Sequence, residues 1–319
     1  MTQPAPGEYN PVSCACLEAA EARKGSRLDR PGPSQLVVIL SAGIVAVSFG
    51  AILIRLAAAP ALTVATYRVL WATCLLAPFV LSSRTSELRA MGGKDWWAVV
   101  LSGFALALHF GLWIASLDYT SVASSVLLVD TTPFFIGLAS QWILRRPCGR
   151  EFWMGLSVAF LGCLVVFRAD WSQSADSPLG NALALGGAAA AAVYLLIGAE
   201  ARQKLSLLAY VWPVYGTAAM ALALAGFGSG VRMNGFSSRT HLFMFLVGLV
   251  PQCVGHTTYN WSLRWLPPGL VGLIGLAEPV GASFLAYVIL GERMTFAKLL
   301  GGIVILAGIY LASTRKRSK

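Results

Sequence analysis

Residues 132–144 read TPFFIGLASQWIL and residues 278–290 read EPVGASFLAYVIL. Each is an apolar run that opens on a polar residue followed by proline, and the two lie 146 residues apart. Carried outward, the same shift pairs Ser116-Leu117 with Ser262-Leu263, Pro133 with Pro279 and Ile143-Leu144 with Ile289-Leu290. It also pairs Gly155 with Gly301 and Gly162 with Gly308, with no gap needed between residues 111 and 165. Prolines and glycines that recur at equal spacing mark an internal repeat.

The sequence around these stretches is built for lipid. Of 319 residues, 57% are hydrophobic and 12% charged, where a soluble domain carries roughly 25% charge. Stretches near the 20 apolar residues that cross a bilayer fall at about 35–57, 60–81, 96–117, 120–144 and 151–168, then 179–200, 206–226, 241–263, 269–290 and 296–313. Trp96, Trp97, Trp142, Trp153 and Trp171 sit at span ends, where indole rings anchor in the interface. Five spans per copy is an odd number, so the second copy enters the membrane from the opposite side. The expected fold is all-α, ten transmembrane helices arranged as two inverted five-helix repeats. The repeats run 35–168 and 179–313, between a polar tail of residues 1–34 and a basic tail of residues 314–319. The first tail is rich in Pro, Gly and charge and has no apolar core, so it reads as a disordered cytoplasmic segment rather than a signal peptide or a packed domain.

The net charge of +10 is that of positive-inside loops rather than of a nucleic-acid surface. With the N-terminus inside, the cytoplasmic segments hold 17 of the 24 Lys and Arg, the opposite loops hold 6, and Arg68 lies within the second span. Both termini are therefore expected in the cytoplasm of a plasma (inner) membrane protein. Cys14, Cys16, Cys74, Cys148, Cys163 and Cys253 have no metal-ligand spacing. No phosphate-binding loop, zinc motif or nucleophile elbow appears, and no internal loop is long enough to hold a catalytic constellation. An enzyme is not expected, and neither is a metal or a cofactor.

Ionisable and polar groups at membrane depth need a partner, a cavity or a function. Arg68, Asp130 and Glu278 are the deepest charges, and the two carboxylates precede the helix-breaking Pro133 and Pro279. They read as a cation, proton or substrate-amine site, or else as caps for broken backbone or partners of Arg68. Arg68 reads equally as an anchor for a substrate carboxylate or a brace for the fold. His109 and His256 stand at mirrored depths in similar strings, HFGLWIASL and HTTYNWSL. Histidine can relay protons near neutral pH, and it also commonly bonds a neighbouring helix. Trp113, Tyr194, Trp212, Tyr215, Gln252, Tyr259 and Asn260 complete a central polar and aromatic set. The Gly155/Gly162 and Gly301/Gly302/Gly308 spacings point to close packing of the fifth and tenth helices.

The stretch Leu276-Ala-Glu-Pro-Val-Gly-Ala-Ser-Phe-Leu285, with Leu290-Gly-Glu-Arg-Met-Thr295 and Gly301-Gly302, resembles the penultimate helix, Gly-Glu turn and last helix of EamA-type transporters of the drug/metabolite transporter superfamily. Thr132-Pro133-Phe134-Phe135 is similar to the matching first-copy motif, and Tyr67-Arg68 to the family's second-helix arginine. The likeness spans about residues 36–313, with one departure: Arg145-Arg146 stands where the first copy would carry Gly-Glu. It implies a central cavity, no ATP hydrolysis and, commonly, export of amino acids or other metabolites. The sugar-phosphate branches fit less well, because the ninth helix lacks a basic pair to grip phosphate. The sequence-level reading is a secondary exporter of amino-acid-like compounds working by alternating access. The other readings are a transporter of drugs or nucleotide precursors, or a membrane scaffold or sensor that transports nothing. The partners expected are a small-molecule substrate, the lipid bilayer and, as an oligomeric option, a second copy of the chain.

Overall fold

The computed structural model describes residues 31–120, 122–169, 177–290 and 294–313. Most of both tails, Trp171, the Cys14/Cys16 pair and the Gly291-Glu292-Arg293 turn lie outside these residues. Among the described residues, ten helices long and apolar enough to cross a membrane follow one another: α1 Pro33–Ala57, α2 Ala61–Ser83, α3 Gly93–Ser116, α4 Ser124–Ile143, α5 Arg150–Arg168, α6 Pro178–Ala201, α7 Leu207–Gly228, α8 Ser238–Ser262, α9 Pro268–Ile289 and α10 Phe296–Ser313. Local chemistry sets their starts. Ser177, Ser206 and Ser237 cap α6, α7 and α8, each hydroxyl accepting a backbone N–H two or three residues on. Pro33, Pro178 and Pro268 occupy first-turn positions, where a missing N–H costs nothing. The sequence does not signal the short helix Thr85–Ala90 between α2 and α3. Glu87 on that helix accepts the Ser206 N–H at 2.6 Å, tying it to the start of α7.

The inversion is visible at the contact between α5 and α10. A Cβ placed on Gly155 would lie 2.6 Å from the Gly308 oxygen and against Ala312. One on Gly301 would lie 2.8 Å from the Gly162 oxygen and against Val166. Shifting the first trio by 146 residues gives the second, with the two helices exchanged. Gly162 and Gly308 behave in the same way, one meeting Ile305 and the other Ala159. A contact that maps onto itself when its partners swap is isologous, so a two-fold axis passes through it. The low-numbered glycine of each helix faces the high-numbered glycine of the other, so the helices run antiparallel and the axis is perpendicular to them. The halves are therefore inverted, with the axis in the membrane plane.

The helix breaks obey the same symmetry. Pro133 has no N–H, and α4 is interrupted at Asp130–Thr131 between helical Val122–Val129 and Thr132–Leu138. Pro279 interrupts α9 at Leu276–Ala277, between Pro268–Gly275 and Glu278–Leu290. Both breaks tighten into three-residue hydrogen bonds at equivalent positions. These are Thr131 N–H to Leu128 O and Phe134 N–H to Thr131 O in α4, and Ala277 N–H to Ile274 O and Val280 N–H to Ala277 O in α9. In α4 the Thr132 hydroxyl donates to Val129 O at 2.8 Å, satisfying the carbonyl that Pro133 leaves without a donor. At the end of α4 the chain turns even without the expected glycine: Arg145 takes the left-handed conformation itself, φ +52°, which costs a side-chain-bearing residue roughly 1–2 kcal/mol. Arg146 then reaches Glu200 at the end of α6, at 3.0 Å.

Candidate functional site

The two breaks face one central cavity, lined by both repeats. Its walls include Val47, Arg68, His109, Trp113, Asp130 and Thr132 from the first repeat, and Tyr194, Leu195, His256, Tyr259, Gly272 and Glu278 from the second. Its volume is about 90 Å³, in a measure where one water takes roughly 10–15 Å³. The room is therefore that of several waters or one small solute.

Eight of the twelve residues singled out from the sequence line this cavity: Arg68, His109, Trp113, Asp130, Tyr194, His256, Tyr259 and Glu278. Four do not, and each has another contact. Tyr215 is fully buried, its hydroxyl 3.1 Å from that of Thr257. Trp212 lies between α7 and α2, its indole N–H donating to Thr73 O at 3.1 Å, so it packs helices together. Asn260 is fully buried behind Tyr194; its amide donates to the Tyr194 hydroxyl, and at 2.8 Å to His256 O. Gln252, also fully buried, accepts the Arg68 Nε–H at 2.7 Å. Val47, Val129, Ala191, Leu195, Val271 and Gly272 also line the cavity. Nothing in their residue types sets them apart from lipid-facing neighbours.

Arg68 is 1% exposed. Its guanidinium lies 4.0 Å over the Phe110 ring and 5.8 Å from the Trp113 ring, a cation–π arrangement that strengthens when water is excluded. Behind it the His109 ring stacks on Trp113 with centroids 6.0 Å apart and planes 6° apart, and His256 approaches His109 at 6.2 Å. His109 Nδ1 lies 3.0 Å from Gly187 O, which locks α3 to α6. Among the described residues, no carboxylate is within ion-pair distance of Arg68. Arg68, Asp130 and Glu278 nonetheless line the same cavity. In a low-dielectric pocket charge interactions are several-fold stronger than in water.

Several buried polar atoms of this wall have no hydrogen-bond partner among the described residues. From α2 and α3 these are donors, Arg68 Nη1 and Trp113 Nε1; from α4 and α8 they are Asp130 Oδ2, His256 Nδ1 and the Tyr259 hydroxyl. A folded protein rarely leaves buried polar atoms without partners unless a ligand, ion or water meets them. The cavity thus offers hydrogen-bond donors with a positive charge from one set of helices, and carboxyl acceptors from another. Among the described residues, no group of three metal-ligating side chains is found.

The model of the EamA-like transporter family matches residues 33–168 and again residues 178–314, five helices each. An uncharacterized transporter of Archaeoglobus fulgidus is 23% identical over 291 residues, covering 89% of this chain and 98% of its own. A probable terminal-alkyne amino-acid exporter of Streptantibioticus cattleyicolor is 34% identical over 91 residues, 28% of this chain and 30% of its own. A solved structure described as a crystal structure of protein superposes with a TM-score of 0.75 at 17% identity, over 88% of this chain and 97% of that one.

Proposed function

The chain belongs to the EamA-like transporter family, and from that premise we propose that it exports small amino-acid-like metabolites by alternating access through the central cavity. One observation carries the substrate class: the same small cavity is lined by a guanidinium with an N–H unpartnered among the described residues and by two carboxyl groups. A zwitterion needs both, a cation for its carboxylate and an anion for its ammonium, and it must shed its water to enter. The small volume favours a compact solute over a drug or a nucleotide. Alternating access is supported by the two-fold. When equivalent breaks in α4 and α9 meet at one site, exchanging the conformations of the two repeats exchanges the side from which that site opens. The positive-inside bias supports cytoplasmic termini, and the plasma membrane is the expected location.

The test is counterflow. Purified protein in liposomes preloaded with unlabelled amino acids should accumulate labelled amino acid above empty liposomes and above an Arg68→Gln variant. Exchange of another solute class with no amino acid exchanged would overturn the substrate assignment. No exchange across a broad metabolite panel would overturn transport itself.

A further inference from the structure

Gln252 does not touch the cavity, yet it holds the cavity's cation in place. Its Oε1 accepts the Arg68 Nε–H at 2.7 Å from a fully buried position. The backbone around it is shaped for that contact. Gly248 lets α8 lie against α2 at Arg68, since a Cβ there would come within 3.0 Å of Arg68 O. From Gly248 to His256 the helix widens into a π-helical segment that contains Gln252 and Pro251, a distortion that tends to mark functional sites. The Thr257 hydroxyl, bonded to Gln252 O at 3.3 Å, ties that segment in turn to the Tyr215 hydroxyl.

The chemical point is the neutrality of this partner. A buried arginine usually meets a carboxylate, which takes two of its N–H groups and cancels its charge. Glutamine takes one N–H and cancels nothing. The guanidinium is left over Phe110 with its charge intact and Nη1 unpartnered, beside Trp113, whose Nε1 is also unpartnered. Both residues line the cavity. We propose that Arg68 and Trp113 form a carboxylate subsite and that Gln252 is its positioning residue, orienting the arginine without neutralising it. This rests on the cavity being the transport site, and it names the end of the substrate that α2 and α3 hold.

Substituting Gln252→Glu would place a carboxylate where Oε1 now sits, pairing Arg68 internally and repelling a substrate carboxylate. The test uses the full-length chain in detergent, with propionate and propionamide as probes and thermal unfolding as the readout. Wild type should be stabilised by propionate and not by propionamide. Gln252→Glu should need at least tenfold more propionate for the same shift while melting, without ligand, close to wild type. Unchanged propionate response in Gln252→Glu, or no propionate response in wild type, would overturn the subsite. If Gln252→Glu does not fold, Gln252→Met decides: a propionate response as strong as that of wild type overturns the positioning role, and one at least tenfold weaker supports it. Failure of the amino-acid reading would look different, with propionate binding intact but no amino acid exchanged by wild type in liposomes.

Discussion

Replacing Gly155 with alanine tests the two-fold axis at the α5–α10 contact. The added Cβ would lie 2.6 Å from Gly308 O and 2.7 Å from Ala312 N. These are backbone atoms that no rotamer change can move, so the helices must part by roughly 1 Å to restore van der Waals separation. Overpacking of this kind costs roughly 1–3 kcal/mol, and alanine recovers roughly 0.5–1 kcal/mol over glycine in a helix. The net loss is roughly 0–2.5 kcal/mol, about 1 kcal/mol at mid-range, which is a fall in Tm of roughly 2–4 °C at the scale of a domain of 150–250 residues. Because Gly301 meets the equivalent atoms, Gly301→Ala should cost nearly the same. A double-mutant cycle adds a sharper check. Gly155 and Gly308 insert at one level, so once the first methyl has parted the helices the second should add little. Gly155 with Gly162, one heptad or about 10 Å away along the helix, should come closer to additive. The assay is thermal unfolding of the detergent-solubilised protein, with variants expressed to equal levels. A raised Tm in Gly155→Ala, or full additivity of Gly155→Ala with Gly308→Ala, would refute the two-fold packing argument.

Two further outcomes follow from the site. Glu278→Gln keeps shape and removes charge at the α9 break, and should reach the membrane in normal amounts while counterflow falls at least tenfold; full transport with unchanged pH dependence would exclude a functional carboxylate, and lost expression would indicate a backbone cap. Thr132→Val leaves Val129 O without its 2.8 Å hydroxyl donor and should cost about 1–2 kcal/mol in unfolding measurements, with Thr132→Ser restoring most of it.

Much of this protein was legible in the sequence because membrane folding rests on local rules. Hydrocarbon admits only backbone whose hydrogen bonds are met internally, which an α-helix does within its own segment, so runs of apolar residues located all ten spans to within a few residues. Pro133, Pro279 and the four glycines carried the repeat, since missing N–H groups and missing Cβ atoms act on their own helix wherever it packs. The depth of Arg68, Asp130 and Glu278 marked them for the same reason. What the sequence could not supply is which face of each helix meets which neighbour. Gln252 and His256 are four residues apart, the spacing of one α-helical face, yet His256 lines the cavity and Gln252 reaches behind it to Arg68. Between them α8 is π-helical, with longer i→i+5 turns that rotate one residue relative to the other. Trp212 looks as suited to a site as Trp113, but α7 turns it toward Thr73 of α2. Small wall residues such as Val271 and Gly272 carry no chemical mark. The tertiary packing of ten helices, not any local preference, made them part of a cavity.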